Sequence, residues 1–201
     1  METDENIRER LTKMREALGK VDICRIDLIG VDLSGIDLSG ENLNNVDATR
    51  VDLSASNLSR SLLRVSNFSN ANLMESDCSF AILTFSTLYK ANLTRASLIG
   101  ADLSGATLVK SDLTEADARN SILDFANLSG SNLSKINLNN ARLIQADLTG
   151  TNLSGSDLTG ADLTLSSLID ADLSNAKVKR SQLSRAWTKR TLTEKTIWIN
   201  E

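Results

Sequence analysis

The residues that could do chemistry in this chain of 201 residues are chiefly carboxylates and carboxamides at a fixed spacing. When the sequence is read in groups of five from Val21, the second residue is Asp 14 times and Asn nine times among 33 groups. Asp and Asn side chains hydrogen-bond the backbone two residues further on and so favour turns. The alternative is an anionic array that binds cations. Either role requires an element that repeats every five residues.

The other reactive residues argue against catalysis. The sequence contains no histidine, which excludes a histidine general base, a Ser-His-Asp triad and a histidine metal site. Cys24 and Cys78 have no companions at metal-ligand spacing and are too few for a disulfide framework, so we expect free thiols. No carboxylate pair stands apart from the repeat. We therefore predict a protein that is not an enzyme and has no catalytic, cofactor or metal site.

The repeat spans residues 21–185 without insertion or deletion, and its third position is Leu in 27 of the 33 groups. A period of five fits neither an α-helix nor a flat strand. A chain that turns a corner after every five residues instead directs each third residue to a common axis, and its coils stack at about 4.8 Å. The spacing alone does not distinguish three sides per coil from four.

The units ANLME, ANLTR, ADLSG, ADLTG and ADLSN resemble the pentapeptide-repeat family, and the resemblance covers residues 21–185. It implies an all-β fold, a right-handed quadrilateral β-helix in which the 33 units make about eight coils. In that fold the third residue fills the axis, and the first residue, mostly Ala or Ser, also points inward. Proline is absent from the sequence because stacked coils use nearly every backbone N–H.

Residues 1–20 are predicted to form a helical cap over the first coil. Within a helix over residues 4–18, the apolar side chains share one face: Ile7, Leu11, Met14 and Leu18. Asp4 is the expected N-cap and Gly19 the expected C′ residue. The inward residues of the first coil are larger than Ala and offer the helix an apolar seat: Val21, Ile26, Val31 and Ile36.

The repeat decays after Arg185, so residues 186–201 are predicted to be a separate C-terminal segment. Both tryptophans of the protein lie there, together with other apolar residues. The segment is either a terminal cap or a dimer contact, since aromatic residues at the end of a solenoid are natural interface anchors. The candidate contact residues are Trp187, Leu192, Ile197 and Trp198.

One side of the coil is predicted to be unusually apolar on its outside, where the repeat normally places Asp, Asn or small polar residues. Scattered surface apolar residues need no explanation, but a contiguous stripe indicates a partner surface or self-association. The alternatives are a surface that is under no selection and a cover supplied by the C-terminal segment of the same chain. The candidate surface residues are Leu62, Val65, Ile82, Phe85, Ile122, Phe125, Ile144 and Leu165.

Charge is segregated along the chain. Residues 21–176 carry 10 basic and 19 acidic residues, whereas residues 177–201 carry seven basic and two acidic ones. A basic cluster is usually a solvated face, and without interleaved aromatic residues or a known motif it does not favour direct binding of nucleic acid. The cluster comprises Lys177, Lys179, Arg180, Arg185, Lys189 and Arg190.

The sequence thus favours a non-enzymatic interaction scaffold whose protein partner is unknown. The family resemblance adds an alternative, a DNA-mimicking inhibitor or protector of DNA gyrase of the quinolone-resistance type. The acidic body agrees with a DNA-like rod, but Phe68 is the only central Phe and the unbroken register leaves no room for a projecting loop. The charged N-terminus and the lack of a long apolar run predict a cytoplasmic protein without a membrane span.

Overall fold

The computed structural model describes residues 3–18 and 27–199. Helix α1 (Asp4–Leu18) precedes a continuous coil, which leads into strand β1 (Lys177–Val178), helix α2 (Arg180–Leu183) and strand β2 (Ile197–Trp198). From Asp32 to β1, each rung of the coil is a single-residue parallel bridge. The chain therefore stacks its backbone on itself at every side of the coil without forming long strands.

Bridge partners are 20 residues apart, as in the pairs Asp32 with Asp52 and Leu62 with Ile82. Since one side takes five residues, each coil has four sides. The quadrilateral β-helix implied by the family resemblance is confirmed, and the choice between three and four sides is settled in favour of four.

The interior holds the first and third residues of each unit, as predicted. The third-position residues from Leu28 to Val178 are buried, and so are nearly all the first-position residues. Phe68 and Cys78 both lie within this axis. The large third residues and the small first residues together fill a narrow interior, which is why Leu predominates at the third position and Ala and Ser at the first.

Each corner is a β-turn whose third residue is left-handed. Every fifth residue from Gly30 to Asn175 has a φ between 53° and 75°. The turn is closed by a backbone bond such as Val31 N–H to the Leu28 carbonyl, at 3.3 Å. The second-position carboxylate supports it, as Asp32 Oδ1 accepts the Ser34 N–H at 2.9 Å. The turn-forming role of the Asp and Asn residues is thereby confirmed.

The N-terminal helix covers the first described coil with Ile7 and Leu11, which are both buried. The predicted N-cap is wrong. Thr3 precedes the helix, and its hydroxyl accepts the Asn6 N–H at 3.3 Å, whereas the Asp4 carboxylate accepts the Asp32 N–H at 3.2 Å. Asp4 thus satisfies an edge group of the coil instead of its own helix.

Other parts of the cap prediction concern residues that the structure does not describe. The side chains of Met14 and Leu18, and the residues Gly19, Val21 and Ile26, lie outside the described residues. Val31 and Ile36, the other two members of the predicted apolar seat, are buried.

The coil extends beyond Arg185, where the loss of the repeat predicted its end. Trp187 bridges Ser167 and Leu192 bridges Asp172, and β2 pairs with β1. A bridge needs only backbone groups, so it persists where the Leu signature is lost. In this last coil, α2 takes the place of one of the four sides. The Gln182 side-chain amide in α2 donates hydrogen bonds to the carbonyls of Leu158 and Ala161 at 2.7 and 2.6 Å.

Candidate functional site

The eight predicted surface residues lie on one side of the coil, which we call the apolar face. Leu62, Ile82 and Ile122 are half-buried in the bridging ladder, and Ile144 lies beside it. The corner that follows the ladder carries the exposed members, with 60% of Val65, 69% of Phe85, 63% of Phe125 and 46% of Leu165 accessible. These residues span about five coils, or roughly 25 Å.

Phe80 belongs to the same surface, although the sequence analysis missed it. It lies at the corner that begins this side of the coil and is 55% exposed. The Arg60 guanidinium carbon lies 5.6 Å from the centre of its ring. A Phe at the fifth position of a unit, two residues before Ile82, was the available signal, since that corner normally carries Gly, Asn or a charged residue.

Two glycines seat the aromatic rings of this face. A Cβ atom on Gly105 would lie 2.6 and 2.7 Å from two carbons of the Phe85 ring, and one on Gly100 would lie 2.7 Å from the Phe80 ring. Each ring therefore leans over a glycine of the following coil. A side chain at either glycine would collide with the ring beside it, so the two glycines make room for the aromatic residues of this face.

Asp124 maintains the backbone of this face where the usual turn carboxylate is missing. Arg142 occupies a position that is normally Asp or Asn, so the Ile144 N–H donates to Asp124 Oδ1 of the preceding coil instead, at 3.0 Å. Asp124 is buried and also pairs with the Arg142 guanidinium. In the same way, Asn44 Oδ1 accepts a hydrogen bond from the Arg64 N–H at 2.8 Å.

Charges on the other sides of the rod are paired from one coil to the next. The Arg95 guanidinium lies 2.5 Å from Glu75, and the Lys135 ammonium lies 3.0 Å from Glu115. Such exposed pairs add little stability. Their effect is to offset the acidic charge of the body locally.

The C-terminal candidates do not form one patch. Trp187, Leu192 and Ile197 point outward from three successive sides of the last coil, each about half exposed or more. Trp198 lies at an axial position, and the Arg180 guanidinium carbon is 4.3 Å from the centre of its ring. Their arrangement around the rod differs from the contiguous apolar face.

The basic cluster at this end is partly neutralised. Arg190 makes two hydrogen bonds of 2.5 Å to Asp170, and these bonds lower the pKa of the Asp170 carboxyl. The Lys177 ammonium lies 3.4 Å from Asp157. Among the described residues, Lys179, Arg185 and Lys189 form no ion pair within 4.0 Å.

The structure adds two observations on reactive groups. Cys78 is a free, buried thiol, and burial raises its pKa to about 11; Cys24 lies outside the described residues. Over residues 3–18 and 27–199, no group of His, Cys, Asp and Glu side chains has an arrangement that would hold a metal ion.

No helix in the same ranges has the length and apolarity needed to cross a membrane.

The family model for pentapeptide repeats matches eight copies in this chain, over residues 26–64, 53–88, 66–98, 86–124, 96–134 and 126–164. The chain belongs to the pentapeptide-repeat family. A search of curated protein sequences returned no match.

Three named proteins are among the solved structures that match this chain. HetL from the cyanobacterium Nostoc, a pentapeptide repeat protein involved in heterocyst differentiation regulation, is 28% identical, with 92% of each chain covered and a TM-score of 0.48. Trypsin-treated QnrB1, a plasmid-mediated fluoroquinolone resistance protein, is 22% identical over 76% of this chain and 89% of its own, with a TM-score of 0.43. Rfr23 from the cyanobacterium Cyanothece 51142 is 23% identical over 95% and 99%, with a TM-score of 0.22.

Proposed function

We propose that this protein is a non-catalytic scaffold that binds another protein through its apolar face. The observation that carries the proposal is the row of exposed apolar side chains along one side of the rod, in which Val65, Phe85 and Phe125 are each at least 60% accessible. Large contiguous apolar patches on soluble proteins mark interaction sites, and aromatic residues are frequent binding hot spots.

The backbone of this face supports the same function. Phe85 and Phe125 are held at left-handed corners with φ of 58° and 60°, and the β-branched Val65 has a φ of 57°. A left-handed conformation costs a residue other than Gly about 1–2 kcal/mol. The bridges on both sides of each corner fix these positions, so little conformational freedom remains to be lost when a partner binds.

The DNA-mimic alternative receives less support from the charges. A mimic of the duplex needs a continuous field of negative charge. Here the carboxylates of Glu75, Glu115 and Asp170 are each matched by a cation one coil further along. A gyrase supercoiling assay separates the two functions, because a scaffold of the proposed kind leaves supercoiling unchanged at micromolar concentration.

The scaffold is tested by exchanging the two most exposed rings of the apolar face. In the double variant Phe85→Ser with Phe125→Ser, affinity capture from the source cell should lose the partners that the unmodified protein retains. The matched control is Ile29→Ser, because Ile29 is also an exposed apolar residue but lies on another side of the rod. Equal capture by the unmodified protein and the double variant would show that the apolar face is not the interface.

A second copy of this chain is the other partner to be tested, through either the apolar face or the C-terminal end. Light scattering after size exclusion gives the oligomeric state directly. A dimer that dissociates in Trp187→Ser with Leu192→Ser uses the C-terminal end, whereas one that dissociates in Phe85→Ser with Phe125→Ser uses the apolar face. Truncation after Arg185 is less suitable, because it removes rungs of the coil.

A further inference from the structure

We propose that the apolar face recognises an arginine side chain of its protein partner, and that Asp102 is the carboxylate that receives it. This inference rests on the proposed function and specifies the chemistry of the partner. It is argued from the place of Asp102 in the bridging ladder, from its hydrogen bonds and from the aromatic rings beside it.

Asp102 lies at the centre of the apolar face. Its bridge partners in the preceding and following coils are Ile82 and Ile122. Among the described residues, no other second-position aspartate has apolar bridge partners on both sides; Asp147, for comparison, lies between Asn127 and Ser167. A carboxylate in an apolar surround attracts a cation more strongly than one in a polar surround, because less water screens it.

Of the two oxygens of the Asp102 carboxylate, only Oδ1 accepts hydrogen bonds from the described residues. Asp102 Oδ1 accepts the Ser104 N–H at 3.0 Å and the Ser104 hydroxyl at 2.6 Å. Within residues 3–18 and 27–199, Oδ2 accepts no hydrogen bond and no cation lies within 4.0 Å of the carboxylate. On the same face, Asp124 is by contrast paired with Arg142.

An aromatic ring lies over each corner of the side that carries Asp102. Phe80 leans over Gly100 and Phe85 leans over Gly105, and Asp102 lies between these two glycines in the sequence. The Arg60 guanidinium already lies over the Phe80 ring. The exposed Phe85 ring therefore remains available to a cation of the partner. A guanidinium both stacks on an aromatic ring and hydrogen-bonds a carboxylate, so Arg fits this site better than the more strongly hydrated Lys.

The charges of the face disfavour a second copy of the chain as its occupant. Arg64 and Arg142 lie two coils before and two coils after Asp102 on this side. A two-fold axis at the centre of the face would place Asp102 against itself and Arg64 near Arg142. Like charges across an interface suppress association, which disfavours a dimer about the centre of the face. The partner of this proposal is a different protein with a central cation between apolar side chains.

The test uses two small probes and the full chain. Benzoyl-arginine amide carries the guanidinium and an apolar ring, and benzoyl-citrulline amide is its neutral isostere. Titration followed by amide chemical shifts should show saturable changes at Asp102, Ser104 and Phe85 with the arginine probe, and about tenfold weaker binding of the citrulline probe. In Asp102→Asn the preference should be lost, since one partner of a charge pair is removed.

Asp147→Asn is the matched control, because Asp147 makes the same turn, with Oδ1 accepting the Thr149 N–H at 3.0 Å. Both variants should fold, since Asn127 forms this turn with the Ser129 N–H at 2.9 Å. Equal binding of the two probes, no localised shifts, or the same loss in both variants would overturn the inference. If Phe85→Ser with Phe125→Ser abolishes partner capture while Asp102→Asn does not, the scaffold stands and the arginine site fails.

Discussion

The ring of Phe85 lies directly over Gly105 of the next coil, so close that a Cβ atom on the glycine would be 2.6 Å from Cε1 of the ring. The most exposed aromatic residue of the apolar face therefore depends on the absence of a side chain one coil away. The conformation of this surface residue is thus linked to the fifth position of a unit in the next coil, where the residue type varies along the repeat.

Gly105→Ala should destabilise the protein more than Gly35→Ala. Both glycines are left-handed, with φ of 66° and 68°, but a Cβ on Gly35 would meet no atom of the described residues within 4 Å. The strain of about 1 kcal/mol is common to both variants, and only Gly105→Ala also displaces a ring. Denaturant midpoints of the two variants measure the difference. Equal losses would show that the Phe85 ring moves without cost.

Ser156→Ala should stabilise the protein by about 1 kcal/mol. Ser156 is buried, and its hydroxyl has no hydrogen-bond partner among the described residues, so its removal relieves a desolvation penalty. Ser166 occupies the same position of its unit, but its hydroxyl donates to the Leu163 carbonyl at 2.8 Å. Ser166→Ala should therefore lower the free energy of unfolding by about 1 kcal/mol. Chemical denaturation of both variants checks the opposite signs.

Asp124→Ala should cost about 1–3 kcal/mol, because the Ile144 N–H loses its acceptor. Asp124→Asn should cost less than about 1 kcal/mol. It keeps the acceptor, as Asn44 does for the Arg64 N–H, and loses only an ion pair whose arginine is exposed. Thermal or denaturant unfolding measures both variants. A similar cost for the two would mean that the ion pair, and not the hydrogen bond, carries the contribution.

Alkaline pH should destabilise the fold through Cys78. Its pKa is raised by burial to about 11, from 9.0 in water. Since the unfolded thiol ionises first, the stabilising contribution is complete below pH 9 and is lost as the pH rises to about 11. The loss reaches about 2–3 kcal/mol.

The measurement for Cys78 is the free energy of unfolding as a function of pH, for the unmodified chain and for Cys78→Ala. The difference between the two should shrink above pH 9, because Ala does not ionise. In a Cys24→Ser background, the remaining thiol should resist alkylation at pH 8 until the protein is unfolded. Rapid alkylation of the folded protein would contradict the burial of Cys78.

The sequence predicted the coil, its interior and its turns because all three depend on local rules. Leu128 and Ala126 are inward, and Asn127 forms a turn, for reasons that lie within a single unit. The N-cap was misassigned because the Asp4 carboxylate bonds Asp32, which is 28 residues away. The end of the coil was misplaced because the rungs of Trp187 and Leu192 need only backbone groups.

The order of the amino acids is enough to predict a coil with a period of five, Leu in its axis and apolar residues on one outer side. The four units per coil, implied by the family resemblance, are confirmed by bridge partners 20 residues apart, and the stacking of the coils fixes which residues become neighbours. The contacts of Phe85 with Gly105, of Asp124 with Ile144 and of Asp102 with two isoleucines all join residues about 20 positions apart. Such contacts depend on the stacking of coils, which local propensity does not encode.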